Sequence, residues 1–471
     1  MKLINLVLTL FIVFLLALIL FFDSKFRKNI EPEKPKIETV KKPAQKATKE
    51  KVDVFLPDSN YIPPKGFLWG VALSAFQNDG GDGKTDWDEW PSYKKSKAYH
   101  PGFNKKDIAL AREFGIKSIR FSIEWARAET VESEWDKKIL KYYTELVREM
   151  KKNKIEPFVN LNHFTLPFWV ARKGGWENDS TPIWFSRYAK KIAETFKPLK
   201  IKWWMTFNEP TVIASEGYLN GNFPPQKKND IRGLLHVRRN LIKAHHLAVK
   251  NLRKILDTDQ KKIMVGIAHP ADYFVAEDKK DEKDQQVAAA LDYLVNFAFI
   301  DAIQNDIDYI GINYYKRAVV RFNSWGLFFF GGTPVEFVEP KDSSTDIFAE
   351  GLFHLIKAFK VYGKPIIITE NGVNDNNDKK RPKFLIEHIS YIWKATQEKN
   401  NNGENDIPII GYFYWTLFDS YEWSYLKTSH FGLFSVNHAD SSRIPRKSAY
   451  LYQDIIRANG ITKEIIKKYL K

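Results

Sequence analysis

The chain has 471 residues, 44% of them hydrophobic, enough to bury a large core in two or three average domains or in one large α/β barrel. It contains no cysteine, which excludes disulfides and thiolate metal sites; its ten histidines show no HExxH or comparable ligand spacing, so no metal or organic cofactor is expected. The net charge of +16 comes from Lys and Arg interleaved with acids, without an arginine-rich block, which argues against a nucleic-acid partner.

Leu3 to Phe22 is an apolar run whose only polar members are Asn5 and Thr9, long enough to cross a bilayer as a helix. A cleaved signal peptide needs a shorter apolar stretch and a small-x-small site. Only Ala17 is small in the second half, so residues 1–22 are expected to be an uncleaved, single-pass membrane anchor, with residues 3–22 in the bilayer. Lys25, Arg27 and Lys28 against Lys2 lean toward a cytoplasmic C-terminal side, while short N-termini commonly stay inside. An extracytoplasmic C-terminal part is the expectation. Residues 23–60 are rich in Lys, Glu and Pro and nearly free of aromatics, and read as a disordered tether.

From Phe67 onward short β-like runs alternate with amphipathic helical patterns. Strands are predicted at Phe67–Leu73, Lys117–Ile123, Ile155–Leu161, Lys202–Thr206, Lys262–Ile267, Tyr309–Ile312, Pro365–Thr369 and Ile409–Thr416. Helices are predicted at Lys105–Phe114, Lys137–Lys152, Ile183–Phe196, Ile231–Leu256, Gln285–Asn305, Ile347–Val361, Lys383–Lys399 and Ser448–Arg457. Eight strands, each followed by a helix, is the pattern of a (β/α)8 TIM barrel, here one catalytic domain over residues 61–471. The adjacent His245 and His246 fall inside a helical pattern and read as structural.

In such barrels active-site groups occupy the C-terminal strand ends and the loops after them. Polar residues line up there: Gln77, Arg120, His163, Asn208, Tyr315 and, most informative, two glutamates. Glu209 lies in Trp204-Met205-Thr206-Phe207-Asn208-Glu209-Pro210 and Glu370 in Ile368-Thr369-Glu370-Asn371-Gly372, each after an apolar, β-prone run. Two carboxylates presented from strand ends are the minimum apparatus for cleaving a glycosidic bond. The 15% aromatic share, with 14 Trp, supplies flat faces on which sugar rings stack.

These motifs resemble those of the family 1 glycoside hydrolases, the β-glucosidase and β-galactosidase family, over nearly all of 61–471. Phe67-Leu68-Trp69-Gly70 through Gln77 is similar to the family's N-terminal signature, and Arg120-Phe121-Ser122-Ile123-Glu124-Trp125 to its second-strand motif. Leu161-Asn162-His163-Phe164-Thr165-Leu166-Pro167 resembles its histidine motif and Ile312-Asn313-Tyr314-Tyr315 its sixth-strand motif. Tyr412-Phe413-Tyr414-Trp415, Glu422-Trp423, Phe431-Gly432-Leu433 and Arg443 to Ala449 resemble its C-terminal block.

The resemblance implies a retaining exo-β-glycosidase with Glu209 as general acid/base and Glu370 as nucleophile. Arg120 is then placed to keep Glu370 ionised and Tyr315 to orient it. Asn208 is implied to bond the sugar 2-hydroxyl, and Gln77, His163, Asn313, Glu422 and Trp423 join it in substrate binding, with Trp415 as the stacking platform. A carboxylate at Glu422 accepts from neutral hydroxyls and repels a phosphate, implying unphosphorylated substrates. Asn78-Asp79 after Gln77, and Phe164-Thr165 after His163, depart from the family's usual residues. The alternatives are a transglycosidase using the same two glutamates, or a surface carbohydrate-binding protein without catalysis.

Overall fold

A computed structural model describes residues 61–95, 99–323, 335–338, 347–397, 408–425 and 427–470. The expected anchor and tether, residues 1–22 and 23–60, lie outside them. Eight parallel strands form a closed barrel: β1 (Leu68–Ala72), β2 (Ser118–Ser122), β3 (Glu156–Asn162), β4 (Trp203–Asn208), β5 (Met264–Pro270), β6 (Ile310–Asn313), β7 (Ile366–Asn371) and β8 (Ile409–Trp415). Each pairs with its sequence neighbours, and β1 closes the ring on β8 from Leu68↔Gly411 to Ala72↔Trp415. Such strands are covered on both faces, so they need apolar residues almost continuously; all five residues of β2 are buried, Arg120 included.

The lumen is a packed layer. Phe158 on β3 stacks on Trp203 at 4.8 Å between centroids and meets Phe413 on β8 edge-on, also at 4.8 Å. Since β3 and β8 are not neighbours in the ring, that second contact crosses the lumen. A larger apolar layer lies between strands and helices. The helix Lys137–Lys152 shows how it forms: the Asp136 carboxylate accepts from the amides of Lys138 and Ile139, and Leu140, Tyr143, Leu146, Val147 and Met150 bury one face at spacings of three and four.

Three features depart from expectation. Short strands absent from the sequence reading decorate the ring: Tyr273–Ala276, Arg317–Phe322 and Val335–Val338 form one sheet, Ser420–Glu422 and Lys427–Ser429 a second, Phe434–Val436 and Arg443–Pro445 a third. The helix expected over Gln285–Asn305 is interrupted, running as Glu282–Leu291, a π-helical turn Asp292–Phe297, then Ala298–Ile303. Among the described residues this run, Glu282–Ile303, is the one helix long and apolar enough to cross a membrane; its Phe299, Ile300 and Ile303 are buried in the core. The chain also starts and ends several helices within two or three residues of the predicted points, as at Ala349–Phe359.

Candidate active site

The C-terminal ends of the strands converge on a cavity of about 190 Å3 lined by His163, Phe164, Asn208, Glu209, Tyr315, Glu370, Trp415, Glu422, Trp423 and Phe431. Both glutamates therefore open into one space. Glu209 is the first residue past β4 and holds φ +45°, the left-handed region that a side chain adopts only at a cost of order 1 kcal/mol. Its amide donates to the Ala268 carbonyl of β5 at 2.7 Å, which fixes this turn of the chain. Glu370 is within β7, and Gly372 beyond it is required by contact: a Cβ there would lie 2.0 Å from the Trp415 carbonyl oxygen. The glycine of the Glu370-Asn371-Gly372 motif thus lets the ends of β7 and β8 close on one another.

A continuous hydrogen-bonded chain links the two acids. Arg120, fully buried, donates from one nitrogen to Glu370 Oε1 and from another to Asn208 Oδ1. Tyr315 donates its hydroxyl to Glu370 Oε2 at 2.6 Å, so both carboxylate oxygens accept a bond. Asn313 Nδ2 donates to Glu209 Oε1 at 2.8 Å and to Asn208 Oδ1 at 3.1 Å, and its own Oδ1 accepts from Thr369 at 2.7 Å. Asn313 was expected among the sugar-binding residues. Its polar atoms are instead taken up by Glu209, Asn208 and Thr369, and it is not part of the cavity wall, so it positions Glu209.

Asn208 then determines the state of His163. An amide nitrogen only donates, so the 3.1 Å contact from Asn208 Nδ2 makes His163 Nε2 the acceptor and leaves the proton on Nδ1. Burial, reinforced by the Arg120 charge, holds this imidazole well below its usual pKa, so it is neutral. The buried Nδ1 donor has no partner among the described residues, nor does the buried Oε1 of Gln77, whose Nε2 donates to the Tyr421 carbonyl at 2.7 Å. Unmatched buried polar atoms are costly without a ligand and favourable with one. Trp415 and Trp423 both lie face-on to the His163 ring, at 5.8 and 5.7 Å, and make the aromatic part of the wall.

The carboxyls are differentiated by their surroundings. Burial, and then the charge of Glu370, push Glu209 up to about 8, against the Asn313 hydrogen bond and the Arg120 charge, which pull it down. Glu209 is thus protonated at neutral pH, whereas Glu370 carries two donors suited to an anion. Glu422 is pushed up to about 7, first by burial, against a hydrogen bond from Ser429 at 3.2 Å, with Glu370 adding to the rise. A protonated carboxyl and a second carboxyl gripped by two donors, both facing one small cavity, are the groups needed to break a bond to oxygen at an acetal carbon.

The two departures from the resembled motifs are matched to partners of their own. Thr165 donates to both oxygens of the buried Glu124 at 2.9 Å, and Asp79 accepts from the Phe103 amide at 2.9 Å and from Tyr142 at 3.2 Å. Two wall residues, Phe164 and Phe431, had no role assigned from sequence, although both lie inside the resembled motifs. No group of three or more His, Asp or Glu that could hold a metal occurs among the described residues.

The family model for glycosyl hydrolase family 1 matches residues 60–309 and 299–461. The chain is 30% identical to β-glucosidase A of Thermotoga maritima, over 84% of its own length and 98% of that protein's. Its structure is similar to that of a β-glycosidase from Pyrococcus horikoshii, with a TM-score of 0.78 at 31% identity, covering 87% of this chain and 98% of that one. It is also similar to the Thermotoga maritima β-glucosidase in complex with glucoimidazole, with a TM-score of 0.74 at 29% identity, covering 85% and 100%. With sequence and fold matched across the whole barrel, the chain is a glycoside hydrolase and belongs to glycosyl hydrolase family 1.

Proposed function

We propose that the protein is a retaining exo-β-glycosidase that removes terminal, unphosphorylated β-D-glycosyl units, β-glucosides foremost, through a covalent intermediate. The observation that carries this is the division of labour between two carboxyls on one cavity: Glu209 held protonated, Glu370 held by two donors. In the first step Glu370 attacks the anomeric carbon as the bond to the leaving oxygen breaks, and the Glu209 proton passes to that oxygen. The resulting glycosyl ester has no charge on Glu370. Since that charge is the second cause of the raised Glu209 pKa, Glu209 then holds its proton less tightly and serves as the base. It takes a proton from water, the water oxygen attacks the anomeric carbon, and Glu370 departs as carboxylate.

The remaining groups fit a sugar ring. The second N–H of Asn208, the free Nδ1–H of His163 and the free Oε1 of Gln77 supply two donors and an acceptor for hydroxyls. Trp415 offers the stacking face, and Glu422 accepts from neutral hydroxyls while disfavouring a phosphate. The cavity of about 190 Å3 falls below the roughly 300–1,000 Å3 of drug-sized sites, which suits one ring at a chain end rather than a stretch of polymer. A panel of aryl β-gluco-, galacto-, manno- and fucosides tests the activity. Turnover of β-glucoside abolished by Glu370→Gln supports it, and no turnover of any β-glycoside by the native protein overturns it. We further propose that residues 3–22 hold the enzyme to a membrane with the barrel on the extracytoplasmic side. Recovery of full-length protein in the soluble fraction after cell lysis would contradict this.

A further inference from the structure

We propose that Asp272 is the specificity-determining residue of the leaving-group subsite and selects hydroxylated leaving groups, such as a second sugar or a polyol, over apolar ones. The inference rests on the acid/base role of Glu209 proposed above and names what lies beyond it.

The ring order places Asp272. Most groups assigned to the sugar (Gln77, His163, Trp415, Glu422 and Trp423) come from β1, β3 and β8 and the loops after them, with Asn208 added from the end of β4, while Asp272 follows β5, which stands opposite β1 in the ring. β5 is the neighbour of β4, which ends at Glu209. The acid delivers its proton to the leaving oxygen, so the leaving group departs on the Glu209 side, the side on which Asp272 stands. Asp272 is not part of the wall of the sugar-sized cavity, as expected of a residue serving the next subsite outward.

Its backbone is held by a built clamp. The Ala271 amide donates to the carbonyl of Asn313, the residue whose side chain holds Glu209. The next residue, Asp272, donates its amide to Asn296 Oδ1 at 3.2 Å, and Asn296 Nδ2 donates back to the Asp272 carbonyl at 2.9 Å. Asn296 is fully buried and sits on the π-helical turn Asp292–Phe297, the interruption that breaks an otherwise regular helix. Such turns recur where a side chain must be delivered to a functional place.

The carboxyl of Asp272 itself has no hydrogen-bond partner among the described residues and is partly exposed. Its charge raises the Glu209 pKa, and burial raises its own against the opposing charge of Lys316, an exposed residue immediately after Tyr315. Tyr314 is the other titratable group on which it acts. A fixed backbone, an unsatisfied carboxyl and a place beside the proton donor describe an acceptor for a hydroxyl on the departing group. An apolar leaving group offers it nothing and leaves it desolvated.

The test compares kcat/KM for cellobiose with that for p-nitrophenyl β-glucoside in the native enzyme, Asp272→Ala and Asp272→Asn. The disaccharide-to-aryl ratio is expected to fall about ten-fold or more in Asp272→Ala, the scale of one hydrogen bond to a charged group. Asp272→Asn, which keeps an acceptor oxygen, should restore part of it. In both variants the alkaline limb of the pH profile should move to lower pH for both substrates alike, because a negative charge near Glu209 has gone. A ratio within two-fold of native, or equal losses on both substrates, overturns the assignment. Native enzyme that turns over neither substrate overturns it together with the proposed function, whereas native turnover with an unchanged ratio overturns this assignment alone.

Discussion

Replacing Asn313 with alanine should move the alkaline limb of kcat/KM upward in pH, the reverse of what loss of a buried polar contact usually suggests. Asn313 is 1% exposed and donates to Glu209 Oε1 at 2.8 Å, a bond that favours the carboxylate over the acid. A hydrogen bond to a charged group contributes about 1.5–3 kcal/mol. About 1.4 kcal/mol corresponds to one pH unit. Without the donor, the acid form of Glu209 persists to higher pH, and the limb expected near 8 should rise by roughly one to two units. The plateau should fall as well, because Asn208 Oδ1 and the Thr369 hydroxyl each lose a partner. The assay is kcat/KM for an aryl β-glucoside against pH, which reports ionisations of the free enzyme. A limb that stays in place or moves down would show that Glu209 is not the group titrating, or that Asn313 does not act on it.

Tyr315→Phe removes only the 2.6 Å bond to Glu370 while keeping the edge-to-face contact with Phe431, so kcat/KM should fall about 10–100-fold with thermal stability unchanged. Glu209→Ala should retain attack on activated aryl glucosides but stall at the ester, with azide restoring turnover as the β-glycosyl azide; recovery of the α-azide would mean the two glutamates have exchanged roles. Arg381 is fully buried, pairs with Asp378 and donates to the carbonyls of Asp375 and His430, so Arg381→Met should cost about 3–5 kcal/mol in urea unfolding. A loss below about 1 kcal/mol would show that this pair adds little beyond its desolvation cost.

The barrel strands were legible because burial on both faces demands unbroken apolar runs: β7 was expected at Pro365–Thr369 and is Ile366–Asn371. The small sheets were not, since three- to six-residue strands such as Ser420–Glu422 depend on a partner that only the fold supplies. The π-helical turn at Asp292–Phe297 was hidden for another reason. The run from Glu282 to Ile303 contains no Gly or Pro to mark the break, so it still reads as one helix. In the site, short motifs announced Glu209 and Glu370, but motifs do not say which way a side chain faces. The resemblance grouped Asn313 with the sugar ligands; only its pairing with Glu370 across β6 and β7 and its bond to Glu209 show that it is enclosed between the two acids. Asp272 is separated from Glu209 by a long helix in sequence and approaches it only because β4 and β5 are neighbours in the ring.

The proposed role of Glu370 as the nucleophile that bonds to the anomeric carbon is tested most directly by trapping the intermediate. A 2-deoxy-2-fluoro-β-glucoside with a reactive leaving group slows hydrolysis of the ester more than its formation, and peptide mapping then locates the sugar. The mechanism places the label on Glu370, with none on the Glu370→Gln protein. A label on Glu209, or steady turnover of natural substrate by an enzyme that never becomes labelled, would contradict it.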